Sequence, residues 1–235
     1  MASKSTPPRP APRLYLATPA VDDPAQFLAV LPAALAAADV AAVLIRPQPA
    51  DPRTMTSRIK ALVPLIQQSG AALLLDAGAL DGQFELVARS GADGAHLAGI
   101  KAMDEAMAAL KPDRIVGVGA LATRHDSMSA GEQGADYVLF GEADAHAVRP
   151  SREAVAERVG WWAELFEPPC VAYAACHDEA REFVAAGADF ILVDDLVWSD
   201  TRGAAAALAE LGAVIGDAFA SASRTDRSRT EVSQA

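Results

Sequence analysis

Short, mainly apolar runs recur along this chain, and longer stretches of mixed polarity separate them. The runs are too short for helices and lack the alternation of a strand with one wet face, so they predict strands buried on both sides. There are eight of them: Arg13–Ala17, Ala42–Arg46, Ala71–Asp76, Gly94–Leu97, Arg114–Gly119, Tyr137–Phe140, Cys170–Ala174 and Phe190–Val193. The intervening stretches predict eight helices: Ala25–Ala38, Arg53–Ser69, Asp81–Ser90, Met103–Leu110, Asp126–Gln133, Ser151–Phe166, Asp178–Ala186 and Thr201–Leu211.

The junctions between helix and strand repeat one sequence motif, Gly-Ala-Asp. It starts at Gly91, Gly134 and Gly187, and a predicted strand follows each copy at once. Glycine supplies the left-handed backbone that ends a helix, and the aspartate can accept hydrogen bonds from nearby backbone in the turn. Three junctions of one design indicate a repeated helix–strand unit and therefore a parallel sheet.

Eight strands that alternate with eight helices are typical of a closed (β/α)₈ TIM barrel. An open doubly wound sheet is the alternative, but such sheets carry a glycine-rich phosphate loop after the first strand. This chain has Ala17-Thr18-Pro19-Ala20 there. We therefore predict a single barrel over residues 13–220. The polar ends predict a disordered arm over residues 1–12 and a disordered tail over residues 221–235.

Charge and composition narrow the class of partner. The net charge of −11 disfavours nucleic acid and anionic membranes as main partners. No apolar run looks long enough for a transmembrane helix, which predicts no membrane segment. Cys170 and Cys176 match no zinc or redox spacing, so we expect a reducing, cytoplasmic location. The sequence is compatible with a homo-oligomer but does not specify one.

In a barrel of this kind, function is carried by the loops that follow the carboxyl ends of the strands. The charged and histidine side chains at these ends are therefore the candidates for chemistry. They are Arg46, Asp76, Lys101, Arg124, His125, Glu142, Asp144, His146, Arg149, His177, Asp194 and Asp195, with His96 inside the fourth strand.

The order of segments resembles the thiamine phosphate synthase family from Leu14 to about Leu196. The similarity is strongest at Gly91-Ala92-Asp93-Gly94-Ala95-His96-Leu97, which is close to the family's GADGVHLGQ.D run. The resemblance implies a TIM barrel and a transferase of thiamine biosynthesis. Such enzymes join hydroxymethylpyrimidine pyrophosphate to thiazole phosphate with loss of pyrophosphate, whose charge Mg²⁺ neutralises.

The family's site motifs are only partly kept in this chain. The resemblance implies Arg46, Lys101, Arg149 and His96 as candidates for binding substrate or phosphate. It implies Asp76 as a metal ligand, but the second metal carboxylate falls on Lys101. The GP…T.TK loop falls on Gly141 to Arg149 and loses both threonines. The AIGG turn falls on Tyr173-Ala174-Ala175, and the last phosphate loop on Asp194-Asp195.

Each candidate also has a purely structural interpretation. Arg46 either grips a pyrophosphate or pairs with a carboxylate such as Asp76, and His96 either touches a ligand or is a hydrogen-bonded core histidine. The acidic and histidine residues of the mouth (Glu142, Asp144, His146, His177, Asp194 and Asp195) either form a site for a metal or cation or are solvated loop charges.

Two hypotheses about function therefore stay open. The first is an active transferase with a rebuilt site, in which Arg46, Lys101 and Arg149 hold pyrophosphate in place of the metal. The second is a non-catalytic or regulatory barrel that binds a small phosphorylated or cationic ligand, or a protein partner.

Overall fold

The computed structural model describes residues 9–143 and 148–233. Its strands are β1 (Arg13–Val21), β2 (Val40–Pro47), β3 (Ala72–Asp76), β4 (Gly94–Ala98), β5 (Ile115–Gly119), β6 (Tyr137–Phe140), β7 (Cys170–Tyr173) and β8 (Phe190–Val193). Its helices are α1 (Pro24–Ala36), α2 (Pro52–Gln68), α3 (Glu85–Ser90), α4 (Met103–Leu110), α5 (Arg124–Glu132), α6 (Arg152–Leu165), α7 (His177–Ala186), α8 (Asp195–Trp198) and α9 (Ala204–Ser233). Single 3₁₀ turns cover Ala77–Ala79 and Ile100–Ala102.

The eight strands form a closed parallel barrel in chain order, β1 to β8. Closure is made by β1 and β8, where Leu14 pairs with Ile191 and Leu16 with Val193. This confirms the predicted TIM barrel and excludes the open sheet. Each predicted strand is present, and β1 continues four residues beyond its predicted end, to Val21.

Side chains alternate along the strands between two apolar layers. In β1, Leu14 and Leu16 belong to the large layer between the sheet and the helices, whereas Tyr15 and Ala17 belong to a second cluster. Successive strand side chains point to opposite faces, so this second cluster fills the barrel interior. Its members are Tyr15, Ala17, Leu44, Leu74, Tyr137, Leu139, Val171 and Leu192.

The Gly-Ala-Asp turns join neighbouring strands at the amino-terminal rim. The glycines have left-handed backbones, with φ of 83° at Gly91 and 111° at Gly187. Asp93 accepts a hydrogen bond of 2.7 Å from the backbone N–H of Leu73, and the same aspartate in the other two copies accepts from Val116 and Cys170. The aspartates therefore accept hydrogen bonds from the start of the preceding strand rather than from their own turn. This link between neighbouring strands explains why the Gly-Ala-Asp motif is repeated along the barrel.

The last helix is longer than the sequence indicated. We predicted its end at Leu211, but α9 continues to Ser233 and so includes most of the segment that we expected to be a tail. No proline interrupts it, and the buried side chains of Val214 and Ile215 extend its packing beyond the predicted end.

Part of α9, Ala204–Thr225, is long and apolar enough to cross a membrane by length and composition alone, which differs from our sequence-based expectation. A third of this segment is buried inside the fold, and α9 packs against α7 and α1. The closing helix of a barrel must be apolar on the side that covers the sheet, so this composition is weak support for a membrane span.

Candidate functional site at the barrel mouth

A cavity of about 300 Å³ opens at the carboxyl ends of the strands. This is the end of the barrel at which loops carry function. Its walls come from six different strand ends and the loops after them: Arg46, Ala98, Ala120, Glu142, Ala143, Tyr173, Leu192 and Asp194. The structure therefore brings together three of the predicted charged residues, namely Arg46, Glu142 and Asp194.

Arg46 is paired with a carboxylate in the cavity wall. Its Nη1 lies 3.4 Å from Oδ2 of Asp194 and donates to the backbone oxygen of Thr18 at 3.3 Å. Asp194 also accepts from the hydroxyl of Tyr173 at 2.8 Å and from the backbone N–H of Asp195 at 2.6 Å. The partner of Arg46 is thus Asp194 rather than Asp76, and its guanidinium is partly neutralised before any ligand arrives.

Arg149 is engaged more fully. Its guanidinium makes a two-pronged ion pair with Glu179, with N–O distances of 2.9 and 2.7 Å. It also donates to the backbone oxygens of Gly141 at 2.9 Å and Tyr173 at 2.6 Å, and it lies over the Tyr173 ring at 4.6 Å. Although burial opposes it, the hydrogen bonds from Arg149 and from the Ala175 N–H lower the pKa of Glu179. Arg149 therefore ties the loop after β6 to β7 and α7, and four of its five N–H donors are already in use.

His96 lies inside the barrel as part of a chain of hydrogen bonds. The hydroxyls of Tyr15 and Tyr137 are 2.9 Å apart, and the Tyr137 hydroxyl is 2.9 Å from Nδ1 of His96. Nε2 of His96 is 3.1 Å from Oε2 of Glu142, and it must donate because an ionised carboxylate only accepts. The chain runs from the barrel interior to the mouth and ends on Glu142, so His96 is buried behind the cavity wall.

The carboxylate of Glu142 is held in its ionised form. Burial alone would raise its pKa, but the charge and hydrogen bond of His96, the charge of Arg46 and the backbone N–H of Ala120 outweigh this and hold the pKa below its usual range. Ala120 has a left-handed backbone, with φ of 50°, which is uncommon for a residue other than glycine. The backbone at the end of β5 is therefore arranged around an anionic group.

We expect the ionised carboxylate of Glu142 to contribute to the pH dependence of the protein's stability in acid. Because the pKa of Glu142 is lowered on folding, its ionised form stabilises the protein above the unfolded-state pKa, near 4.5, and this contribution is lost as the pH falls through the lower folded value. A Glu142→Gln variant has no such titration, so its stability should fall less steeply than that of the wild type below about pH 4.5. Urea unfolding midpoints over this pH range measure the difference.

The matched control for that measurement is Glu157→Gln. Glu157 carries an exposed carboxylate that pairs with Arg124 on the surface, so its variant should follow the wild-type curve. If the curve of Glu142→Gln ran parallel to both, the lowered pKa of Glu142 would be wrong.

Asp76 and Lys101, the two positions that the family resemblance assigns to metal, do not form an ion pair with each other. Asp76 ends β3 and accepts from the backbone N–H of Gly78 at 2.9 Å. Lys101 is exposed on the 3₁₀ turn after β4 and makes no hydrogen bond or ion pair within the part of the chain that the structure describes. Among those residues no group of three or more His, Cys, Asp or Glu side chains could hold a metal ion. A single carboxylate, with a lysine at the position of the second metal ligand, is a poor ligand set for Mg²⁺, so the residues present do not fit the metal.

The remaining candidates are dispersed. His177 begins α7 and lies 3.7 Å from Glu210, away from the cavity wall, and Asp195 is exposed at the start of α8. Asp144 and His146 lie outside the described residues. The sequence analysis missed the roles of Tyr15, Tyr137, Tyr173 and Glu179. Tyrosines at inward positions of buried strands are a usable signal, because a buried hydroxyl needs a hydrogen-bond partner.

Comparisons with known proteins agree with the fold and with the motifs. A family model described as thiamine monophosphate synthase matches residues 14–197. The chain is 40% identical over 206 residues to a thiamine-phosphate synthase of Rhodospirillum centenum (strain ATCC 51521 / SW), covering 86% of this chain and 97% of that protein. It is 36% identical over 215 residues to the thiamine-phosphate synthase of Hyphomonas neptunium (strain ATCC 15444), covering 88% and 95%. Among solved structures, a thiamine phosphate pyrophosphorylase from Pyrococcus furiosus has a TM-score of 0.69 at 21% identity, covering 88% of this chain and 96% of that one.

Proposed function

This chain belongs to the thiamine monophosphate synthase family, and we propose that it is a divergent member. In this proposal the barrel mouth binds a small cationic ligand, and the family's metal-dependent transfer is weak or absent. The observation that carries the proposal is that two arginines of the mouth already have carboxylate partners. Arg46 and Arg149, which would hold a pyrophosphate, are both paired with carboxylates of the fold.

The charges around the cavity support the same proposal. Among the described residues, two carboxylates, Glu142 and Asp194, and one guanidinium, Arg46, line it, while His96, the other cation that acts on Glu142, is buried behind the wall. The surface that faces the cavity therefore carries one more carboxylate than cations. A departing pyrophosphate carries several negative charges and would face these carboxylates at short range. A ligand with a positive charge, by contrast, meets a carboxylate that is already ionised and already desolvated, so little further desolvation opposes its binding.

An active transferase with a rebuilt site is the second candidate. The 40% identity to a relative named thiamine-phosphate synthase, over 97% of that relative, favours it. In that case a ligand would have to draw Arg46 away from Asp194. The 3.4 Å separation of this pair is long for a charged hydrogen bond, so that exchange would be easier than release of Arg149 from Glu179.

The experiment that separates the two uses the purified full chain with both family substrates and Mg²⁺. The proposal expects no measurable turnover, no thermal stabilisation by pyrophosphate, and thermal stabilisation by a thiamine-like cation. Turnover that disappears in Arg46→Met and in Asp76→Asn would overturn it in favour of the transferase. Turnover that survives both substitutions would point to a contaminating enzyme, and the measurement would then be repeated on protein from a host without its own synthase.

A further inference from the structure

Of the two carboxylates that line the cavity in the described part of the chain, Glu142 has the more acceptor capacity to spare. An ionised carboxylate offers about four acceptor positions. Glu142 receives one hydrogen bond, from Nε2 of His96, and the backbone N–H of Ala120 contributes to its electrostatic environment. In contrast, both oxygens of Asp194 are engaged, Oδ1 by Tyr173 and Asp195 and Oδ2 by Arg46.

The fold also makes room for this carboxylate in particular. A Cβ atom on Gly119 would lie 1.9 Å from Oε2 of Glu142 and 2.8 Å from Nε2 of His96. Any side chain at that position would therefore displace the pair. Together with the left-handed Ala120, which presents its N–H, this leaves Glu142 fixed on one wall, with its side chain 21% exposed toward the mouth.

We propose that Glu142 is the specificity residue of the mouth, and that it selects a planar cation carrying two adjacent N–H groups, such as an amidinium or a protonated aminoheterocycle. The inference rests on the proposed function and names the ligand class for the same cavity. A carboxylate binds two parallel N–H donors in a two-pronged arrangement, which is stronger and more directional than contact with a point charge.

The rest of the wall suits a flat ring. Ala98, Ala120, Ala143 and Leu192 contribute small apolar surfaces, and a volume of about 300 Å³ is at the lower end for a site that takes a small molecule. Small apolar walls offer no donors to a phosphate, and the guanidinium of Arg46, the one arginine in the wall, is already paired with Asp194. The cation would therefore bind with its ring among the alanines and its N–H edge on Glu142.

Three commercially available probes of similar size test this. Benzamidine is a planar amidinium, benzamide is its neutral counterpart, and phenyltrimethylammonium is a cation without N–H groups. Isothermal titration of the full chain should give at least about tenfold tighter binding for benzamidine than for either of the others, equivalent to about 1.4 kcal/mol. Glu142→Gln should abolish that preference, whereas Glu157→Gln should keep it.

A second variant separates position from charge. Gly119→Ala keeps the carboxylate but displaces it, so it should lose the preference for benzamidine as Glu142→Gln does. The circular dichroism spectrum and urea midpoint of each variant show whether the barrel is intact. If both Glu142→Gln and Gly119→Ala kept the wild-type preference for benzamidine, Glu142 would not be the specificity residue.

The outcomes also separate this inference from the proposed function. Equal binding of benzamidine and phenyltrimethylammonium, unchanged in Glu142→Gln, would overturn the inference and leave a cationic ligand in the mouth. Failure of both cations and of thiamine to bind would overturn the inference and the proposed function together.

Discussion

Arg149→Met is expected to lower the free energy of unfolding by about 3 kcal/mol, because it leaves a buried charge without its partner. Glu179 is only 13% exposed in its side chain, and it would keep a single donor, the backbone N–H of Ala175. The substitution also removes donors from the backbone oxygens of Gly141 and Tyr173, which then have to find other partners. Urea unfolding at neutral pH measures the loss.

Two variants show whether the buried charge is the cause. Adding Glu179→Gln to Arg149→Met removes that charge and keeps an acceptor for Ala175, so about half of the lost stability should return. Arg152→Met, in α6 only three residues further on, breaks a more exposed pair with Glu182 and should cost less than about 1 kcal/mol.

The same protein tests the alternative role of Arg149 as a phosphate ligand. If pyrophosphate stabilised the wild type, and Arg149→Met were no less stable than Arg152→Met but lacked that response, Arg149 would be a substrate ligand rather than a structural tie. We expect no response to pyrophosphate from the wild type or from either variant.

The fold could be predicted from the sequence because its signals are local. A four-residue run of apolar residues such as Phe190–Val193 favours a buried strand over a helix, and the glycine before it ends the preceding helix. The length of α9 was not predictable in the same way. The distal part of α9 is polar, so its sequence does not predict a buried helix. The helix continues because no proline interrupts it and because the preceding turns, which contain Val214 and Ile215, pack against the fold.

The sequence predicted where the candidate site lies, but not which of its side chains pair with one another. Strand ends showed that Arg46, Glu142 and Asp194 face one mouth, because all strands of a parallel barrel end on the same side. Which charges pair depends on rotamers and on distances of a few ångströms across elements far apart in sequence. Arg149 and Glu179 are 30 positions apart, and no local pattern in the sequence marks them as partners.

The relation between Asp76 and Lys101 gives the second large prediction, a gain of metal binding. The two positions follow neighbouring strands, β3 and β4, at the end of the barrel that carries the cavity. Lys101 is exposed and makes no contact with a charged partner in the described part of the chain, so replacing it should cost little stability. Lys101→Asp would replace a side chain whose positive charge repels Mg²⁺ with the second carboxylate that the family resemblance assigns to metal.

We expect Lys101→Asp to bind Mg²⁺ where the wild type does not, and to raise turnover with the two family substrates from below detection to at least about tenfold above the detection limit, the equivalent of 1.4 kcal/mol of stabilisation of the departing pyrophosphate. Isothermal titration with Mg²⁺ and a pyrophosphate-release assay measure the two effects separately.

Lys60→Asp, the control, makes the same change of net charge on the exposed side of α2, and it should neither bind Mg²⁺ nor raise turnover. A gain in Mg²⁺ binding without turnover would place the remaining defect on the paired arginines, since the metal alone would then not be enough to hold pyrophosphate. No gain in binding would mean that the carboxylates at these two positions cannot converge on one ion, and the explanation of weak activity by loss of a metal ligand would be wrong.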